Sequence, residues 1–228
     1  MRPRAFAPRP AAAPTTRRGR LLRWAEFAAL FVLAPLLIAL FLPPRMMFPA
    51  LALFSLGGLG LLLLTGGFDW RFLRRGWWHL PWAEAGLVAL AVLATGAAIL
   101  SATRPEALFF LPRNAPQFML LIALLYPLLS ALPQELIFRA LFFHRYGALM
   151  PSRRAAMLAN AAVFAHAHLM YWSVVVLVMT AVGGWLFARA YLDRGFPAAW
   201  FLHALAGNAI FLVGMGAYFY TGAVQRPF

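Results

Sequence analysis

Residues 131–146, Ala-Leu-Pro-Gln-Glu-Leu-Ile-Phe-Arg-Ala-Leu-Phe-Phe-His-Arg-Tyr, carry the groups best suited to chemistry. Gln134, Glu135, Arg139, His144 and Arg145 fall there within about three turns of helix. Glu135 is the one acid well inside a long apolar run, and Arg139 follows it at i+4, on the same helix face. An ionisable group at such depth is costly unless it is paired or faces water, so a functional site is the first reading. A carboxylate with an arginine one turn away can stay ionised where a lone one would neutralise. Two later segments offer partners: Phe164-Ala-His-Ala-His168 and His203-Ala-Leu-Ala-Gly-Asn208.

The elements that must position these groups follow from composition. The chain has 228 residues, 64% hydrophobic and only 11% charged, well outside the range of soluble domains. Several windows run about 18–20 residues without a charge, the length that crosses a bilayer. The expected fold is all-α, a polytopic transmembrane bundle of about seven to eight spans. Formal net charge is +14 and every basic residue is arginine. These arginines sit in tails and loops between spans, so they read as topogenic charge, not as a nucleic-acid surface. The absence of cysteine excludes disulfides and thiolate metal sites.

Residues 1–20 read as a disordered, Arg-rich cytoplasmic tail, and 21–228 as one membrane domain. Spans are expected at 22–42, 46–66, 82–102, 117–149, 154–170, 173–193 and 197–219. Gly57, Gly58 and Gly60 suit close helix approach. The loop 67–81 mixes arginine with Trp70, Trp77 and Trp78, as interfacial segments do. The run 117–149 is long for one span, and Pro127 and Pro133 should bend it. Counted as one crossing, with the N-terminus cytoplasmic, it leaves Arg71, Arg74, Arg75, Arg145, Arg153, Arg154, Arg189 and Arg194 inside. Arg45, Arg104, Arg113 and Arg226 then fall outside, and seven crossings result. An eighth arises if 117–132 spans alone.

Glu135 lies 17 residues before Ser152 and His168 lies 16 after it. In antiparallel neighbouring helices both would reach a similar depth, about 20–25 Å from that loop, with carboxylate opposite imidazole. His166 and His168 are about 200° apart on a helix, and Phe164 and Asn160 stack below His168, which selects His168 as the inward one. His203 and Asn208 are about 140° apart. For both to reach one site, the helix should be irregular near Gly207.

These residues form a known pattern. The chain resembles the CPBP family of intramembrane proteases, which includes the type II CAAX prenyl endopeptidases and bacterial Abi proteins. That family is marked by E-E-x-x-x-R, F-x-x-x-H and H-x-x-x-N/D on separate membrane helices. Gln134-Glu135-x-x-x-Arg139 fits the first with Gln for the leading Glu, and Phe164 with His168 fits the second. His203 fits the third, but Gly207 stands at i+4 and Asn208 one later. The resemblance covers about residues 117–220. It implies peptide-bond hydrolysis within the bilayer, on a membrane-associated protein or peptide substrate. By that analogy Glu135 and His168 activate water, and His203 and Asn208 stabilise the oxyanion, with Gln134 and Arg139 in support. A glutamine cannot act as a base, so Glu135, the deep carboxylate, is expected to take that role.

Two other readings stand beside the protease. One is a catalytically silent membrane protein acting by binding, as an immunity or assembly factor, which Gln134 favours. The other is a small transporter with Glu135 as a proton site, which the lack of an inverted repeat disfavours. No essential cofactor is expected; zinc is the alternative, since histidines with a carboxylate can bind it, although the H-E-x-x-H spacing is absent. An arginine-, alanine- and leucine-rich chain suggests a bacterial plasma (inner) membrane protein with its N-terminus in the cytoplasm.

Overall fold

The computed structural model describes residues 10–43, 46–219 and 224, which are mostly helical with no strand. Seven long helices account for the bundle: α1 (Arg17–Phe41), α2 (Met47–Leu64), α3 (Trp82–Thr103), α4 (Pro116–Leu149), α5 (Arg153–Ala167), α6 (Val174–Arg194) and α7 (Phe196–Val213). Five of them, α1, α3, α4, α6 and α7, are long and apolar enough to cross a membrane. The all-α transmembrane expectation holds, and each expected span coincides with a helix. Large apolar side chains such as Leu53, Leu64, Leu87, Leu124 and Val174 point outward. Outward-facing apolar surface on this scale suits lipid rather than water.

Helix α1 begins earlier than composition suggested. Thr16 caps it by accepting a hydrogen bond from the Gly19 amide, so 17–20 are helical. The amide of Ala11 donates to the His144 carbonyl, which ties the preceding segment to the base of α4. The arginines and prolines around Thr16 masked this capping signal. The rest of the expected tail, residues 1–9, lies outside the described residues, as do Arg45 and Arg226.

Helix α4 is the axis of the molecule. It runs unbroken from Pro116 to Leu149, with wide π turns over Pro127–Ala131 and Leu136–Tyr146. A proline removes one backbone donor, and a widened turn is one way a helix absorbs that loss. The base of α4 is clamped by Glu26 of α1. Arg145 grips that carboxylate through Nε and Nη2 at 2.6 and 2.7 Å, and the Tyr146 hydroxyl donates to it at 2.7 Å. Arg145 also donates to Thr65 at the end of α2. Of the three α2 glycines, Gly58 is the one at an interface: a Cβ there would stand 2.8 Å from Ile137 of α4. Gly57 and Gly60 face open space. Close approach at a single glycine is enough to seat α2 on the π segment.

Asn160 of α5 donates to the Phe138 carbonyl of α4 and sets the register of that pair. Three residues back from Phe138 is Glu135, and three on from Asn160 is Val163, so Glu135 is level with Val163. His168 therefore lies more than a turn beyond Glu135, not opposite it. Counting from Ser152 assumed ideal α spacing. The π segment fits more residues into each turn and brings Glu135 nearer the loop.

Candidate active site

Four helices, α4 to α7, converge on one cluster in an apolar interior. Glu135 of α4 is fully buried. Its Oε1 accepts from His203 Nδ1 of α7 at 2.9 Å, and its Oε2 lies 3.3 Å from Arg139 Nε. Arg139 is equally buried. Its guanidinium sits over the rings of Phe164 (4.7 Å) and Phe187 (5.7 Å), so aromatic faces supply what hydrogen bonds do not. Phe187 stacks on His203 with centroids 4.7 Å apart. Phe164 meets His203 edge-on at 5.6 Å and His168 at 4.7 Å. The phenylalanine of Phe164-x-x-x-His168 thus orders both imidazoles and the arginine at once.

Beside this cluster opens a cavity of about 870 Å³. Its polar wall includes Tyr126, Ser130, Gln134, His168, Tyr171 and His203, and the remainder is largely apolar. Tyr126, Ser130 and Gln134 recur at i+4 and so present one face of α4 to it. Gln134 donates its amide to Ser130 Oγ at 3.0 Å. His168, at the end of α5, donates from Nδ1 to the Phe164 carbonyl at 2.7 Å. That bond fixes the tautomer and leaves Nε2 with a lone pair. Tyr171 stacks on the same ring, centroids 6.0 Å apart.

The expected site residues separate into two ranks. His168, His203 and Gln134 reach the cavity. Glu135 does not: it stands behind His203, with Oε1 hydrogen-bonded to that ring and Oε2 in an ion pair with Arg139, so its imidazole partner is His203 and not His168. Arg139 stands with it. Asn208 is turned elsewhere. Helix α7 runs without a break through Gly207, so the expected irregularity is absent and the angular separation from His203 persists. His166 bonds the Val32 carbonyl of α1, away from the cavity.

Asn208 has another task. Pro127 has no amide hydrogen, so the Ala123 carbonyl one turn earlier loses its helical donor. The Asn208 side-chain amide donates to that carbonyl at 3.3 Å and braces α7 against α4. Interhelical bonds of this kind are worth about 0.5–2 kcal/mol. Asn208→Ala should cost about that much, and nearly nothing in a Pro127→Ala background, where the backbone supplies the donor. A double-mutant cycle by thermal unfolding in detergent checks it; equal costs in both backgrounds would remove the brace.

Tyr126 is the residue that sequence reasoning missed. Its hydroxyl meets His203 Nε2 at 3.1 Å. The Tyr126–Ser130–Gln134 repeat was the available signal. Among the described residues no group of three His, Asp or Glu side chains is arranged to hold a metal ion. The Glu135 carboxylate, committed to His203 and Arg139, does not join His168 in a ligand set.

Residues 116–209 match the model of one protein family, described as type II CAAX prenyl endopeptidase Rce1-like. The match spans α4 through most of α7 and contains every residue of the cluster. No curated protein and no solved structure matches the chain.

Proposed function

With residues 116–209 Rce1-like, we propose that this membrane protein is an intramembrane endopeptidase hydrolysing a peptide bond of a membrane-associated protein. The observation that carries the proposal is that an imidazole nitrogen left with its lone pair, His168 Nε2, and the His203–Tyr126 pair line the same cavity. Amide hydrolysis needs a base within reach of water and donors aimed at the oxygen where charge develops. His168 takes a proton from water as the hydroxide oxygen bonds the carbonyl carbon. The tetrahedral oxyanion forms beside the His203–Tyr126 pair. His168 then returns its proton to the departing amide nitrogen, the C–N bond breaks, and a carboxyl and an amine terminus leave.

Glu135 acts through His203 rather than on water. By accepting the Nδ1 proton it fixes the tautomer and plane of that ring, and Arg139 keeps the carboxylate charged in an apolar interior. Gln134 stands where the resembling family carries its leading carboxylate, so its amide can orient water but not deprotonate it. The mostly apolar cavity suits a lipid-embedded or extended substrate segment. The arginine distribution supports a cytoplasmic N-terminus.

The test is a comparison of membrane-protein termini in the native host, wild type against His168→Gln at equal expression. Proteolysis requires uncut precursors to accumulate in the variant. Identical termini would favour a second reading, a silent relative acting by binding. Gln134 on the cavity wall is the observation behind that reading.

A further inference from the structure

We propose that Tyr126 is the catalytic residue that hydrogen-bonds the oxyanion, the task expected of Asn208. The inference rests on the proteolytic reading above and adds a residue to it. Three observations carry it. The Tyr126 hydroxyl lies on the cavity wall, 3.1 Å from His203 Nε2. Asn208 is not among the cavity-lining residues, and its amide serves the Ala123 carbonyl. Between them Gly207 forms a notch that only a missing side chain allows: a Cβ on it would stand 2.1 Å from the Tyr126 ring.

The three features depend on one another. Gly207 lies one turn after His203, so a side chain there would stand beside the imidazole. Its absence admits the Tyr126 ring against the α7 backbone, which delivers a phenolic O–H to that place. Pro127, next to Tyr126, frees the carbonyl that Asn208 then occupies. Glycine followed by asparagine is therefore matched by tyrosine followed by proline on the facing helix.

The hydroxyl has one proton and a free rotation about its C–O bond. With Glu135 accepting the Nδ1 proton of His203, Nε2 is the acceptor and the Tyr126 O–H points at it. As negative charge grows on the substrate oxygen, rotation of that O–H transfers the hydrogen bond to it. No covalent step is involved. Sited in an apolar wall, such a donor acts on the developing charge far more strongly than it would in water.

Tyr126→Phe tests this, because the ring stays in the notch and only the hydroxyl is lost. The substrate is the membrane protein whose uncut form accumulates in the His168→Gln cells, and purified protein in lipid nanodiscs supplies the enzyme. The expected result is a kcat lower by about 10²–10³-fold with KM within about twofold and unchanged thermal unfolding. In a Tyr126→Ala background, Gly207→Asn should recover part of kcat by placing an amide in the vacated notch. Wild-type kcat in Tyr126→Phe would overturn the inference while leaving proteolysis intact. A wild-type protein that cuts nothing would overturn both.

Discussion

Glu135→Gln is expected to destabilise the protein by about 3–5 kcal/mol, the cost of leaving a buried charge without its partner. The stranded group is Arg139, wholly inside the protein. Its remaining support is the faces of Phe164 and Phe187, worth far less than a counterion even when desolvated. The informative comparison is with Glu135→Gln/Arg139→Met. Removing both charges leaves neither one buried and unpaired, so most of the lost stability should return. Thermal unfolding in detergent, read by loss of monodisperse protein, measures both. Activity should not return with stability, because His203 still lacks the carboxylate that orients it. Additive destabilisation in the double variant would mean that the two side chains do not act as a pair.

His168→Gln is expected to lower kcat by about 10²–10⁴-fold, the usual contribution of a positioned general base, with little change in folding. The residue is only partly buried, and its hydrogen bond runs to the Phe164 carbonyl of its own helix. A glutamine at the same place can still donate a hydrogen bond but cannot accept a proton from water at neutral pH. The contrast with Glu135→Gln is the point. Loss of Glu135 should appear first as loss of protein, and loss of His168 as loss of chemistry in a protein that remains folded. Single-turnover kinetics on purified, monodisperse protein separates the two. A His168→Gln protein with wild-type single-turnover rate would leave the cavity without a base.

Much of the fold could be read in advance because lipid-spanning runs are punctuated by arginine, proline and glycine. The helices lie within a few residues of the expected spans for that reason. The start of α1 was less legible, since the Thr16 cap sits in a segment whose arginines and prolines argue for a tail. The groups of the site were legible as types: Glu135, Arg139, Phe164, His168 and His203 do gather in one region. Their pairing was not. Whether Glu135 meets His168 or His203 depends on the rise of the π segment Leu136–Tyr146, which residue counting on ideal helices cannot supply. Asn208 and Tyr126 depend on two helices at once. The orphaned carbonyl made by Pro127 and the notch made by Gly207 have meaning only when α4 and α7 are known to face each other.

The most direct test of the central claim is isotopic. Purified wild-type protein in proteoliposomes would be given membrane proteins extracted from host cells expressing His168→Gln, in water enriched in oxygen-18. Hydrolysis at the His168 cavity requires new C-termini that each carry one heavy oxygen, formed by wild-type protein and absent with His168→Gln protein. No new C-termini, or the same labelled termini with both proteins, would contradict it.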